Sequence, residues 1–212
     1  AEQVLAAEFL ICTATDLEST LLRQHADPAR CEILRMGVGP VNAAHAVTLA
    51  IMRSRPNAIL VCGIAGAYPS SGLHIGDVAC ADTECYGDLG ATSPAGFLDM
   101  LAIGFPIVPG PPPIYNVLPM QLFPAARRVP FITMSTCTGT DAAARAVEAR
   151  TGGAVENMEG AAVVHVATMH GIPAGELRSI SNIVTDRDTT AWRITEAATA
   201  AQEALLSWLA QH

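Results

Sequence analysis

Ile59-Leu-Val-Cys-Gly-Ile-Ala-Gly-Ala-Tyr68 begins as an unbroken apolar run and continues into a segment that contains two glycines. A short apolar run of this kind is typical of a strand that is buried on both faces of a sheet. Because glycine has no side chain, Gly63 and Gly66 would let the backbone approach a ligand at the carboxyl end of the strand, where open α/β sheets bind. The same glycines also fit an ordinary turn.

Similar apolar runs alternate along the chain with segments of helical periodicity, which predicts an α/β fold with helices on both faces of a sheet, in three α/β/α layers. Half of the 212 residues are hydrophobic, and we expect one domain over residues 1–212. Thr189 or Thr190 is positioned to cap the last helix. The predicted strands are Glu8–Thr13, Cys31–Gly37, Ala58–Gly63, Asp77–Cys85, Phe131–Thr136 and Leu177–Asn182, and the predicted helices are Asp16–His25, Asn42–Ser54, Asp141–Thr151, Gly160–His170 and Thr190–Ala210.

Periodicity is lost between Gly87 and Pro130, and residues 106–116 contain five prolines. Proline lacks a backbone donor, so this segment is predicted to be neither a central strand nor a helix. A long apolar loop can line a site, cover a partner subunit or be a surface excursion without function. The sequence leaves these three interpretations open.

Charge and composition exclude several classes of function. The net charge is −8 and all 12 basic residues are scattered arginines, so neither nucleic acid nor a membrane is an expected partner. Without lysine, the chain has no P-loop lysine and cannot form a Schiff base. The six histidines show no ligand spacing, and we expect neither a metal nor another cofactor.

The cysteines indicate a reducing compartment. None of the six forms a C-x-x-C pair and four lie in apolar segments, which predicts buried thiols in the cytoplasm. The sequence shows no secretory signal pattern and no run of about 18 apolar residues, so we expect neither secretion nor a membrane span.

In two segments, acidic residues lie directly beside a predicted element, where their carboxylates could take part in catalysis or binding. Glu18 opens a helix directly after the first strand, and its carboxylate is either a water-activating base or a favourable acid in a first helical turn. Glu156 and Glu159 precede a mostly apolar helix. A carboxylate there could accept hydrogen bonds from sugar hydroxyls, or it could simply stabilise the helix N-terminus.

A polar cluster follows the last predicted strand. Asn182, Asp186, Arg187 and Asp188 lie close together at the carboxyl end of this strand, where functional residues concentrate in α/β proteins. A solvated turn with an internal ion pair is the alternative.

Taken in order, these segments resemble the purine nucleoside phosphorylase and nucleosidase family over nearly the whole chain. Similarity to the methylthioadenosine/S-adenosylhomocysteine nucleosidase branch lies in Met36–Ala44, Gly63–Ala67, Ile75–Val78 and Val155–Ala162. Similarity to the futalosine hydrolase branch lies in Glu84–Gly90, Ser181–Asp188 and Trp192.

The resemblance implies a central mixed, twisted sheet and hydrolysis of the N-glycosidic bond of a purine nucleoside. In the second branch the nucleoside is futalosine, cleaved to hypoxanthine and dehypoxanthinyl futalosine in menaquinone biosynthesis. The resemblance implies that Glu18 orients or deprotonates the attacking water and that Glu159 holds the ribose hydroxyls. The other residues implied to contact the substrate are Ala65, Gly66, Thr138, Gly139, Thr140, Asn157 and Met158. A small-molecule nucleoside is therefore the expected partner. A homo-oligomer is also expected, with Phe97–Pro124 as a candidate interface.

Asn182 stands where the adenine-cleaving members of the family have an Asp. An amide can donate to O6 of a 6-oxopurine and accept from a protonated N7, so Asn182 favours hypoxanthine, although a flipped amide also pairs with adenine. An amide cannot supply a proton. N7 would then be protonated through water or by Asp188.

Three alternatives stay open. A phosphorylase would need cationic donors for phosphate, and the glycine-rich segment has none, although Arg35 and Arg178 lie in strand-like segments and either could point into the site. Hydrolysis is therefore favoured over phosphorolysis. A methylthioadenosine-type nucleosidase and a non-catalytic nucleoside-binding protein are the other two. Glu18 and Glu159 argue against the last, because loss of catalysis would release both positions.

Overall fold

The computed structural model describes residues 7–212. In this part of the chain the strands are β1 Phe9–Thr13, β2 Cys31–Arg35, β3 Ala58–Ala67, β4 Val78–Tyr86, β5 Ala91–Ser93, β6 Gly96–Leu98, β7 Val117–Pro119, β8 Arg128–Thr133, β9 Val155–Asn157 and β10 Ala174–Ile183. The helices are α1 Thr20–His25, α2 Pro40–Arg53, α3 Met100–Ile103, α4 Asp141–Thr151, α5 Gly160–Met169 and α6 Ile194–Leu209. Short 3-10 turns cover Leu17–Ser19, Pro69–Ser71 and Thr189–Ala191.

Eight of these strands form one mixed sheet in the order β10-β4-β8-β9-β3-β1-β2, with β7 paired to β4. The pairs of β1 with β2 and β3 are parallel, whereas β3–β9 and β4–β10 are antiparallel. β10 also pairs with β3, so β3, β10, β4, β8 and β9 form a closed ring. The predicted α/β class with a mixed sheet is confirmed; the closure of the ring was not predicted.

Helices cover both faces of the sheet, and β3 shows why its sequence is apolar throughout. Residues Ile59, Val61, Ala65 and Ala67 pack in a core with α2 and α5, while Ala58, Leu60 and Cys62 pack in a second core with α1 and α6. Successive side chains of a strand point to opposite faces, so both sets must be apolar. No helix in the described part of the chain could span a bilayer, judged by its length and apolar content.

The long segment after Gly87 contains more structure than its lost periodicity predicted. It includes β5, β6, α3 and β7. Residues 106–116 form neither helix nor named strand, as the prolines predicted, and only an isolated bridge joins Val108 to Ile114. Both of these residues pack against the main core. Of the three interpretations, the lining of a site is not supported, because this loop contributes no residue to the cavity that Glu18, Glu159 and Asn182 line.

Four predicted element starts are wrong by three residues or more. α1 begins at Thr20 rather than Asp16 and β10 at Ala174 rather than Leu177, and the other two errors, at β8 and α6, have local reasons. β8 begins at Arg128 rather than Phe131, because Pro130 is tolerated opposite a register shift at Asp82 of β4. Neither Thr189 nor Thr190 caps α6, which begins at Ile194 after Arg193. Thr189 and Thr190 belong instead to a 3-10 turn that Asp188 caps.

Candidate active site

Three residues that are far apart in the sequence, Glu18, Glu159 and Asn182, line one cavity of about 420 Å³. Glu18 follows β1, Glu159 follows β9 and Asn182 lies near the end of β10. Apolar side chains supply most of the remaining wall. A concave apolar cavity of this size with a few converging polar groups is the usual form of a small-molecule site.

Glu18 is buried, and protein donors fix its carboxylate. Oε2 accepts from the Thr15 backbone N at 2.9 Å and from the Thr15 hydroxyl at 2.7 Å, while Oε1 accepts from the Ile64 backbone N at 2.9 Å. A Cβ at Gly63 would lie 2.4 Å from Glu18 Oε1. Gly63 is therefore needed because the carboxylate lies directly against the strand backbone. An ionised carboxylate offers about four acceptor positions, so about one is left for water or substrate.

Glu159 is also buried and lies between a backbone donor and an arginine. Its Oε2 accepts from the Gly39 backbone N at 3.0 Å, and its Oε1 accepts from Arg178 Nη2 at 3.3 Å. Burial raises the pKa of Glu159, although Arg178 and the Gly39 N–H act in the opposite direction.

Arg178 is a site residue to which the sequence assigned no role beyond the chance that it points inward. It is buried and lines the cavity. Its Nε donates to Glu176 Oε1 at 2.6 Å and its Nη1 donates to the Ile64 carbonyl at 2.9 Å. Burial alone would lower the pKa of Arg178, but the surrounding carboxylates raise it and keep the group charged. By contrast, Arg35 lies outside the cavity lining and pairs with Asp16 at the surface.

Asn157 lies at the cavity wall, but its amide is engaged with protein groups. Oδ1 accepts from the backbone N of Glu159 at 2.9 Å and of Gly160 at 2.7 Å, and Nδ2 donates to Glu84 Oε1 at 2.6 Å. The two bonds that Oδ1 accepts satisfy backbone donors at the start of α5 that lack intrahelical partners. Asn157 thereby fixes the turn that presents Glu159.

Asn182 is oriented by its neighbour in a β-bulge. The register of β10 against β3 shifts between Ile180 and Asn182. The hydroxyl of Ser181 lies 2.8 Å from Asn182 Oδ1, and Asn182 Nδ2 donates to the Ile183 carbonyl at 3.3 Å. One amide N–H and one Oδ1 lone pair are left for a ligand.

The loop after Ser135 contributes only in part. Thr138 lines the cavity, and its backbone N and hydroxyl donate to Glu156 at 2.8 and 2.6 Å. Glu156 also accepts from the Tyr68 hydroxyl at 2.7 Å. Its carboxylate therefore holds the loop in place. Ala65, Gly66 and Met158, which the resemblance implies to contact the substrate, line the cavity.

Gly139, Thr140 and Asp188 do not line the cavity. Thr140 caps α4, and the Gly139 carbonyl accepts from the Arg187 backbone N. Asp188 is exposed and accepts from the backbone N and hydroxyl of Thr190, which lower the pKa of the Asp188 carboxyl. A carboxyl outside the cavity with a lowered pKa is a poor proton donor to a bound base, contrary to the sequence-based expectation for Asp188.

The fold agrees with the comparisons with known proteins. A sequence model of the phosphorylase superfamily matches residues 29–210. The chain belongs to the phosphorylase superfamily. Within it, the chain is 37% identical over 197 residues to a futalosine hydrolase of Streptomyces coelicolor, covering 90% of this chain and 83% of that protein. It is 34% identical over 188 residues to a futalosine hydrolase of Thermus thermophilus, covering 84% and 80%. The chain is thus a member of the futalosine hydrolase group, and the resemblance stated from the sequence is confirmed.

Solved structures show the same fold at low sequence identity. The methylthioadenosine/S-adenosylhomocysteine nucleosidase of Helicobacter pylori, in a mutant form with methylthioadenosine in its active site, superposes with a TM-score of 0.81 at 16% identity, covering 98% of this chain and 100% of that one. The corresponding nucleosidase of Colwellia psychrerythraea, in complex with adenine, gives a TM-score of 0.80 at 20% identity, covering 97% and 96%.

Proposed function

We propose that this protein is a hydrolase that cleaves the N-glycosidic bond of a purine nucleoside, and that the nucleoside is futalosine. The main support is that two buried carboxylates, Glu18 and Glu159, share one cavity with the amide of Asn182. The names of the curated relatives support futalosine as the substrate.

Each of these groups has a role in the proposed reaction. Cleavage of the bond develops positive oxocarbenium character on the ribose and negative charge on the departing purine. Glu159 binds the ribose hydroxyls, and its negative charge stabilises the sugar cation. Glu18 uses its remaining acceptor position to orient water and take its proton as the water attacks the anomeric carbon.

Asn182 binds the departing base. Its free amide N–H donates to O6 of hypoxanthine, while the second lone pair of Oδ1 accepts from the protonated N7. Because Asp188 caps the 3-10 turn outside the cavity, we propose that the proton reaches N7 through water.

The electrostatics of the cavity favour water over phosphate as the nucleophile. Among the described residues that line the cavity, Arg178 is the one cation, and its guanidinium donates to Glu159, Glu176 and the Ile64 carbonyl. A phosphate would have to compete with two carboxylates for this single group. Phosphorolysis is therefore disfavoured.

A substrate panel in phosphate-free buffer tests the proposal. Futalosine, amino-substituted futalosine, inosine and methylthioadenosine are incubated separately with the protein, and the released base is identified by chromatography. We expect hypoxanthine to be released from futalosine at the highest rate. A Glu18→Gln preparation should release hypoxanthine at only a small fraction of the wild-type rate. Strict dependence on added phosphate would contradict hydrolysis. Binding of nucleosides without any product would favour the non-catalytic alternative.

We also propose that the protein is a homo-oligomer. An exposed apolar stripe on α2 supports this proposal, because Val41, Leu49 and Met52 are 82%, 54% and 73% exposed. Light scattering measures the mass in solution. A monomer at micromolar concentration would contradict the proposal, and a Met52→Glu variant is expected to reduce the mass of the oligomer.

A further inference from the structure

Two acids that the proposed reaction does not use lie behind Glu159. Glu84 in β4 and Glu176 in β10 are fully buried. A buried carboxylate is costly unless it is paired and hydrogen-bonded, and two adjacent carboxylates disfavour each other's ionisation. The pair therefore needs an explanation in terms of its partners.

The two carboxyl groups have unequal partners. Glu176 Oε1 accepts from Arg178 Nε at 2.6 Å, whereas Glu176 Oε2 has no donor within residues 7–212. Glu84 Oε1 accepts from Asn157 Nδ2 at 2.6 Å, and the Thr133 hydroxyl lies 3.1 Å from Glu84 Oε2. One buried acceptor, Glu176 Oε2, is thus left without a hydrogen.

Gly160 shows how closely the two groups approach each other. A Cβ at this first residue of α5 would lie 2.1 Å from Glu84 Oε1 and 2.2 Å from Glu176 Oε2. The two oxygens therefore converge on the same point. Burial, and then the proximity of Glu176, raise the pKa of Glu84 well above its ordinary value. A proton on Glu84 would supply the hydrogen that Glu176 Oε2 lacks.

We propose that Glu84 and Glu176 share one proton, and that the pair is a positioning device that fixes Arg178 and, through it, both carboxylates of the site. Arg178 reaches Glu159 directly through Nη2 at 3.3 Å. It reaches Glu18 through the backbone of Ile64, whose carbonyl accepts from Nη1 at 2.9 Å and whose N–H donates to Glu18 Oε1 at 2.9 Å. One arginine thus fixes the relative positions of the two acids.

The proton also determines the charge of the cluster. With Glu84 neutral, the negative charge of Glu176 is paired with the positive charge of Arg178. The charged groups that act on Glu159 are then Arg178, Glu18 and Glu176. If Glu84 were ionised as well, a fourth negative charge would surround a single arginine. The role in catalysis rests on the proposed function, but the shared proton does not.

Two isosteric variants distinguish the members of the pair. In Glu176→Gln the charge that holds Arg178 is lost, so we expect kcat to fall by about 10²-fold, the cost typical of a misplaced reacting group, with little change in KM. In Glu84→Gln an amide nitrogen in the place of Oε1 still donates to Glu176 Oε2 but no longer accepts from Asn157 Nδ2. Because the charge that holds Arg178 is kept, we expect a smaller loss of kcat than in Glu176→Gln. Glu203→Gln, an exposed change in α6, is the matched control.

The pH profile separates positioning from a merely structural role. Glu176 is one of the negative groups that raise the pKa of Glu159. Its neutralisation in Glu176→Gln should therefore move the acid limb of kcat/KM to lower pH, whereas Glu84→Gln should leave the limb in place. Equal losses in both variants, or a fall in thermal stability without a shift of the limb, would overturn the positioning role.

Infrared spectroscopy tests the shared proton without substrate. At neutral pH the wild-type protein should show the carbonyl band of a buried protonated carboxylic acid, retained in Glu203→Gln and absent in Glu84→Gln. A wild-type spectrum without this band would overturn the proposal even if Glu176→Gln failed to fold. A protein that shows the band but cleaves no nucleoside would contradict the proposed function and leave the proton assignment supported.

Discussion

A Gly63→Ala substitution places a methyl group against the carboxylate of Glu18. The added Cβ would lie 2.4 Å from Glu18 Oε1 and 3.2 Å from Arg178 Nη1, whereas ordinary contact begins at 3.4 Å. The carboxylate must therefore move by about 1 Å, and its 2.9 Å hydrogen bond with the Ile64 N–H is broken or bent. Gly63 does not have a positive φ, so the backbone itself accepts alanine.

The expected loss falls on activity more than on stability. A displacement of about 1 Å at a reacting group can cost about 10²-fold in rate, which corresponds to about 2.7 kcal/mol of transition-state stabilisation. The clash is with the end of a flexible side chain, so we expect the free energy of unfolding to fall by no more than the roughly 1–3 kcal/mol typical of an overpacked site.

A double-mutant cycle provides the assay. The kcat/KM for release of hypoxanthine from futalosine is measured for wild type, Gly63→Ala, Glu18→Gln and the double variant, with urea unfolding of each. Removal of a general base typically costs 10²–10⁴-fold, and we expect the double variant to be no slower than Glu18→Gln alone. If the two losses multiplied, Gly63→Ala would act by a route other than Glu18, and the reasoning would be refuted.

Three further outcomes follow from the site. Asn182→Asp should favour adenine over hypoxanthine nucleosides, in the ratio of their kcat/KM values, by about 1–3 kcal/mol, because a carboxylate repels O6 but accepts from the adenine amino group. An unchanged ratio in a two-substrate competition would contradict the role of Asn182. Burial raises the pKa of Glu159, and the ionised form is the one proposed to act. On acidification kcat/KM should therefore begin to fall at a higher pH than it would with an ordinary glutamate. A profile that stays flat down to about pH 4 would argue against the proposed role of Glu159. Asp188→Asn should keep kcat near the wild-type value in the same assay, since the Asp188 carboxylate caps the 3-10 turn, and a loss of about 10²-fold or more would restore it as the acid.

The predicted elements succeeded where the local pattern was strong. The apolar runs of β1, β3 and β10 and the periodic segments of α2 and α4 are elements of the structure, with ends that differ by a few residues. β9 was missed because a three-residue strand has too few residues to show a period of two. The turn at Thr189–Ala191 was taken into α6 because 3-10 and helical residues share similar side-chain patterns.

Some residues of the candidate site were also predicted from the sequence, and others were not. Glu18 was singled out from its place after the first predicted strand, Glu159 from its place before a predicted helix and Asn182 from its place at the end of the last predicted strand, together with the family resemblance. Arg178 received no role, since a single arginine within a strand pattern gives no indication of where it points. Thr140 was assigned to the substrate from the family resemblance, and Asp188 was suggested as a proton donor to N7, but both side chains cap helical turns.

The sequence alone determined the α/β class and the double-sided burial of β3, because these depend on the periodicity of neighbouring residues. Only the tertiary structure decided that β3 and β10 pair, that the sheet closes into a ring and that Arg178 joins Glu18 to Glu159. These features depend on contacts between residues far apart in the chain, such as the hydrogen bond from Arg178 to the Ile64 carbonyl, which joins residues 114 positions apart. Such contacts are set by how elements pack, and no local pattern of side chains records them.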